Sequence, residues 1–144
     1  MNIRPIIEPD KQRWLLLFQA YIAYYGDTVE SSVVELTFER LILGTFCGWV
    51  AVDADDKPIG LVHAVFHPST WSDTDYCYLE DLFVSPPWRH RGVGRRLIET
   101  VYRAADARGC TRTYWVTHAG NTEAQALYDR LAIRSSFVQY RRDQ

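Results

Sequence analysis

The chain is short of nearly everything that would place it outside a reducing compartment or in a membrane. Its three cysteines, Cys47, Cys77 and Cys110, are an odd number with no paired spacing, so neither a disulfide framework nor a zinc site is supported. No apolar run reaches the length of a membrane span, and the N-terminus lacks the basic-then-apolar pattern of a signal peptide. The expected setting is cytoplasmic, with no membrane partner. His63, His67, His90 and His118 have no ligand spacing, so no metal is assigned. There is no Gly-Lys-Ser/Thr, which excludes a P-loop. Gly92-Val93-Gly94 lacks the third glycine of the dinucleotide fingerprint, because Leu97 stands in its place. A net charge of −2 and the lack of base-stacking or groove-reading motifs argue against nucleic acid. Repeats, low-complexity tracts and linkers are also missing, so the 144 residues are expected to form one domain, 1–144.

What is present is a folded composition, 47% hydrophobic, with its charge unevenly placed. Residues 1–84 hold 13 acidic and 5 basic side chains, whereas residues 85–144 hold 5 acidic and 11 basic ones. This asymmetry suggests an anionic ligand on the C-terminal half and a cationic one facing the N-terminal half.

Residues 2–7 read as an edge strand. Glu8-Pro9-Asp10 opens a helix whose apolar face is Trp14, Leu17, Phe18 and Tyr21, and Gly26-Asp27 ends it. Ser32 with Glu35 has the spacing of a capping box for a second helix, which stops near Gly44. Residues 46–53, 59–67 and 76–84 read as an antiparallel meander with a longer loop at 68–75. A helix follows with Val93, Leu97, Ile98 and Val101 on one face and Gly109 as its cap. A strand at 112–118, a last helix capped by Asn121 and a final strand at 136–142 complete the reading. A strand, a crossover helix and a strand imply a parallel pair. The class is therefore α/β, with a mixed central sheet flanked by about four helices.

The most informative stretch runs from Tyr78 to Arg96. Glu80 and Asp81 are adjacent carboxylates in an apolar strand, and alternation places them on opposite faces unless a bulge intervenes. Ser85-Pro86-Pro87 stops the strand, since proline cannot donate to a ladder. Arg89-His90-Arg91-Gly92-Val93-Gly94 then leads into a helix start, an anion site by virtue of its free N–H groups and dipole.

Arg89-x-x-Gly92-x-Gly94 after Leu82-Phe83-Val84, with Asn121-x-x-Ala124-x-x-Leu127-Tyr128 downstream, resembles the GNAT N-acetyltransferase superfamily. The Leu79-Glu80-Asp81-Leu82-Phe83-Val84 run is similar to its polyamine- and histone-acetylating branch. The resemblance implies the GNAT fold, with a splayed strand pair at the site of acetyl-CoA (coenzyme A). It implies that Leu82, Phe83 and Val84 line the pantetheine arm, that Arg89, His90, Arg91, Gly92, Val93, Gly94 and Arg95 cup the phosphates, and that Asn121, Ala124 and Tyr128 complete the coenzyme site. It further implies Glu80, in preference to Asp81, as general base, and Tyr128 as the acid that protonates the departing thiolate.

The expected reaction is direct attack of a primary amine on acetyl-CoA. A covalent route through Cys77 or Cys110 needs more assumptions. Tyr24, Tyr25, Asp27, Trp71, Tyr76 and Asp81 are candidate substrate contacts, because aromatic and acidic groups suit a cation. The acceptor is a small-molecule amine or a protein amine. The rival readings are another acyl-CoA as donor and a non-catalytic CoA-binding sensor. The family resemblance alone implies a homodimer. One departure from the family pattern is Ala132-Ile133, where a glycine and an aromatic residue usually follow the last helix.

Overall fold

A computed structural model describes residues 1–144. One five-stranded sheet organises it, in the order β1 (Asn2–Pro5), β2 (Cys47–Val52), β3 (Pro58–His67), β4 (Tyr76–Val84) and β5 (Thr113–Tyr114). The first four strands are antiparallel neighbours, and β5 runs parallel to β4. This is the mixed sheet expected from the sequence.

Helices α1 (Lys11–Tyr24) and α2 (Ser31–Leu43) cover one face. Trp14, Phe18, Val34 and Phe38 pack there on Val50, Val52, Leu61 and Phe83. Helix α3 (Val93–Ala107) covers the other face, with Leu97, Ile98 and Val101 on Val62, Ala64, Cys77 and Leu79. Helix α4 (Thr122–Tyr128) adds Leu127 and Tyr128 to that second layer. Each fully buried Leu or Ile contributes about 1.5–3 kcal/mol, so the two layers supply the main driving force that holds β4 between them.

Three details differ from the sequence reading. The N-cap of α2 is Glu30, one residue before Ser31, with no side-chain cap bond. Ser32 therefore lies inside the helix, and the Ser32/Glu35 box does not form. The expected strand at 112–118 is reduced to Thr113–Tyr114. The expected final strand at 136–142 is absent: residues 136–142 have no regular structure, and Phe137, Val138 and Tyr140 are exposed. Their β-forming composition finds no strand edge within the chain, and composition alone does not make a strand.

The fourth difference bears on the site. In the β3–β4 ladder His63 faces Asp81, but Ala64 faces Leu79, so Glu80 is an extra residue, a β-bulge. Before it, Cys77 and Leu79 point into the α3 layer; after it, Phe83 points into the α1/α2 layer. The bulge reverses the phase of the strand.

Candidate active site

β4 pairs with β5 only at Cys77↔Thr113 and Tyr78↔Tyr114. From Leu79 to Val84 the edge of β4 that faces away from β3 therefore has no strand partner. A cleft of about 590 Å³ opens there. Leu82, Phe83 and Val84 form its floor, the 88–95 turn one end, α4 a wall, and Tyr21, Tyr24 and Tyr25 of the α1 end another. This is the splay expected from the sequence, and local chemistry accounts for it. Pro86 and Pro87 force a tight 3-10 turn directly after β4, and the chain reverses into α3.

The turn is shaped for an anion. Gly92 (φ +78°) is the N-cap of α3 and His90 also has positive φ (+60°). These left-handed residues aim the first turn of α3 at the cleft. The amides of Val93, Gly94 and Arg95 have no carbonyl partner, and the helical bonds begin with Arg96 N–H donating to the Gly92 carbonyl at 3.1 Å. A β-carbon on Gly94 would meet Leu127 at 3.4 Å and Val84 at 3.9 Å, inside the cleft, so a side chain there would occupy space that glycine leaves open. Free amides, a helix dipole and a cradle that a side chain would fill together fit the pyrophosphate of a coenzyme.

The arginines divide. Arg89 lines the cleft, but its Nε donates to the Val84 carbonyl at 2.9 Å, and its guanidinium lies over Phe83 and Tyr24. It ties the turn to the strand. Arg95 also lines the cleft and pairs with Glu99, whereas Arg91 lies outside the lining, over Trp88. His90 meets Glu123 at 2.9 Å across the mouth.

On the α4 wall Asn121 acts as N-cap, its Oδ1 accepting from Ala124 N–H at 3.4 Å. Tyr128 lines the cleft edge-on to Trp115. Burial, aided by neighbouring Tyr25 and Tyr24, pushes its hydroxyl up to about 12. The phenol thus keeps its proton across the physiological range. Tyr102 OH donates to the Leu131 carbonyl at 2.8 Å and pins the turn after α4, where Ala132 replaces the expected glycine.

Glu80 and Asp81 lie beyond the cleft lining, next to Leu82 on the same strand. The bulge corrects the expectation of opposite faces and turns both to the α1 side. Asp81 reaches His63 and the Tyr21 hydroxyl, and Glu80 is within electrostatic reach of Tyr21, Tyr78 and Tyr114. Glu80 accepts no hydrogen bond from the protein and has no cation partner. Water reaches it, yet the surrounding protein mass and then the Asp81 charge push its carboxyl above the usual range, His63 opposing weakly.

Among the other expected contacts, Tyr24 and Tyr25 line the cleft. Asp27 is exposed in the turn after α1, with Oδ1 bound to Thr28 N–H. Trp71 is 89% exposed on the 68–75 loop. Tyr76 lies under Arg112 and beside His67 and Tyr114. Cys77 is buried on the α3 side, its thiol pushed up to about 11 by burial, so it is a poor nucleophile. His118 lies past the end of β5 against Tyr25, in a smaller recess with Tyr24 and Asn121.

A splayed sheet edge beside an amide-lined turn defines a fold that holds an acyl-coenzyme A. Comparison with known proteins agrees. Residues 14–132 match the model of the acetyltransferase (GNAT) family. The chain is 36% identical over 141 residues to the D-amino-acid N-acetyltransferase HPA3 of Saccharomyces cerevisiae, covering 95% of this chain and 88% of that protein. It is 33% identical over 75 residues to the thialysine N-epsilon-acetyltransferase of Sus scrofa, covering 52% of this chain and 42% of that one. Among solved structures it superposes on a probable acetyltransferase with a TM-score of 0.89, at 21% identity, covering 100% of this chain and 98% of that one. It also superposes on AAC(6')-Iy in complex with a bisubstrate analogue, with a TM-score of 0.84 at 23% identity, covering 99% and 97%. The chain belongs to the GNAT acetyltransferase family. It is an acyl-CoA-dependent N-acetyltransferase, and its acyl donor is acetyl-CoA.

Proposed function

We propose that the chain acetylates the primary amine of a small molecule, with Glu80 as general base and Tyr128 as general acid. Acetyl-CoA supplies an activated thioester, whose C–S bond breaks as the amine nitrogen bonds to the acetyl carbon. The amides of Val93, Gly94 and Arg95 hold its pyrophosphate, and Leu82, Phe83 and Val84 with Asn121 and Ala124 line its arm. Glu80 takes the proton of the arriving ammonium, directly or through water, because a protonated amine has no lone pair for attack. Tyr128 returns a proton to the departing sulfur, since its O–H is retained well above neutral pH.

The observation that carries this reading is the bulge. It leaves Glu80 without a cation partner, raised in pKa and beside a second carboxylate, where the open edge of β4 begins. Glu80 is exposed and needs no partner for stability, so what points to a role is its place: at the open edge of β4, on the same side of the sheet as Asp81. The acceptor is read from the two relatives together: an amine on an amino-acid-like body, drawn to the Glu80–Asp81 pair and the tyrosines around it. A panel of D-lysine, thialysine, spermidine and kanamycin with acetyl-CoA, followed by release of free thiol, tests it. Turnover of D-lysine or thialysine above the others is expected; preference for spermidine would move the reading to the polyamine branch.

The proposal extends to a homodimer in the cytoplasm. The apolar side chains of Phe137, Val138 and Tyr140 find no cover within the chain, and a second copy would supply it. A monomeric mass by light scattering at micromolar concentration would contradict the dimer.

A further inference from the structure

β3 carries His63 within its buried apolar run, only 3% exposed. Both ring nitrogens are engaged. The indole N–H of Trp14, itself buried on α1, donates to Nε2 at 2.9 Å, and Nδ1 stands 2.9 Å from Oδ2 of Asp81. An indole nitrogen can only donate, so Nε2 must accept. The proton of the neutral ring is then on Nδ1 and points at Asp81. Trp14 and Phe18 flank the ring at 5.9 and 5.3 Å and hold its plane.

This chain of two hydrogen bonds runs from the core under α1 to the open side of β4. It ends on the Asp81 side chain, which is 17% exposed and lies beside the Tyr21 hydroxyl. Two satisfied bonds would also describe a purely structural histidine. What sets this one apart is its outer partner: the carboxylate next to Glu80, brought to the same side of the sheet by the bulge. An imidazole N–H orients a carboxylate without cancelling its charge, as a guanidinium would.

We propose that His63, oriented by Trp14, is a positioning residue that fixes Asp81 as the anchor for the acceptor's ammonium group and so leaves Glu80 free to take its proton. This inference rests on the reading of Glu80 above. His63 occupies Oδ2 and limits rotation of the carboxylate. The cation then meets a fixed negative charge one residue from the base, and the amine is held in one place relative to Glu80. Loss of His63 frees Asp81 to swing, which weakens amine binding more than it slows the chemical step.

The test uses whichever of D-lysine and thialysine the wild type acetylates faster, at saturating acetyl-CoA. His63→Leu is expected to raise the KM for that amine at least ~10-fold, with a smaller change in kcat and unchanged acetyl-CoA affinity. His63→Asn, whose amide nitrogen takes the place of Nδ1 as donor to Asp81, recovers most of the loss. An unchanged KM in His63→Leu, or equal rises in both variants, overturns the proposal. Nitrogen-15 NMR of the wild type reads the ring directly and does not depend on the variants folding. The Nδ1–H tautomer is expected, with its resonance moved by the same amine at saturation. An Nε2–H tautomer, or a resonance that this amine leaves in place, overturns it. Failure of the Glu80 reading looks different: Glu80→Gln would then keep its kcat while His63→Leu still raised the KM.

Discussion

Asp10 and Glu80 are both carboxylates set against the sheet, and the chain treats them in opposite ways. Asp10 is buried beside α1. Its oxygens accept two bonds from the Arg4 guanidinium at 2.8 and 2.9 Å and one from Ile7 N–H at 2.9 Å. Arg4 is itself shared with Asp56. Burial works against ionisation of Asp10, but Arg4 and the Ile7 amide outweigh it and hold the carboxyl below its usual range. Glu80 has no such partners; burial and Asp81 push it the other way. The difference separates two uses of one functional group. A carboxylate held by three donors fixes the fold, whereas one left without a donor is available to take a proton.

The largest expected effect strikes the second region. Glu80→Gln should lower kcat by ~10²–10⁴-fold, the usual contribution of a general base, while acetyl-CoA affinity is unchanged. Its stability at neutral pH should equal or exceed that of the wild type. The raised carboxyl favours its neutral form in the fold, so stability falls as pH rises from the unfolded value towards the raised one, and Gln removes that loss. Asp10→Asn should do the reverse. It weakens a part-buried pair whose arginine keeps Asp56, at a cost of about 1–3 kcal/mol in denaturant unfolding, and leaves kcat near wild type. The Asp10 contribution is present above its unfolded value near ~4 and is lost as pH falls through the lowered folded one. If the two variants exchanged signatures, the contrast would collapse.

Smaller effects sharpen it. Gly94→Glu leaves both carboxylates alone, fills the cleft against Leu127 and adds negative charge at the helix start. A loss of acetyl-CoA affinity of about 100-fold, or ~2.7 kcal/mol, is expected by calorimetry, with the fold intact. On kcat at saturating amine the smallest change belongs to Asp81→Asn, whose main cost falls on the KM for the amine. It removes the like charge beside Glu80, so the acid limb of kcat should move to lower pH. A limb that stayed in place would mean that burial alone raises Glu80.

Much of this was legible in the sequence. The β4 limits, the proline-forced turn, the Gly92–Gly94 helix start and the Asn121 cap all rest on local rules that need no partner. The bulge was not, because it exists only in the register between β3 and β4, and strict alternation assigns Glu80 and Asp81 to opposite faces. His63 was equally opaque. Its partners are 49 residues before it and 18 after it, and the only local signal was a polar residue inside a buried strand. The tail failed for a related reason. Phe137, Val138 and Tyr140 have strand composition, but a strand needs an edge, and β5 stops after Tyr114.

The central claim is that an unpartnered carboxylate at the bulge takes the amine's proton. The pH dependence of kcat for the wild type and Glu80→Gln, with both substrates saturating, tests it most directly. The wild-type rate should rise with pH through a limb placed above the usual carboxylate range, and Glu80→Gln should lose that limb along with most of its rate. The same limb at the same pH in both proteins would contradict the account.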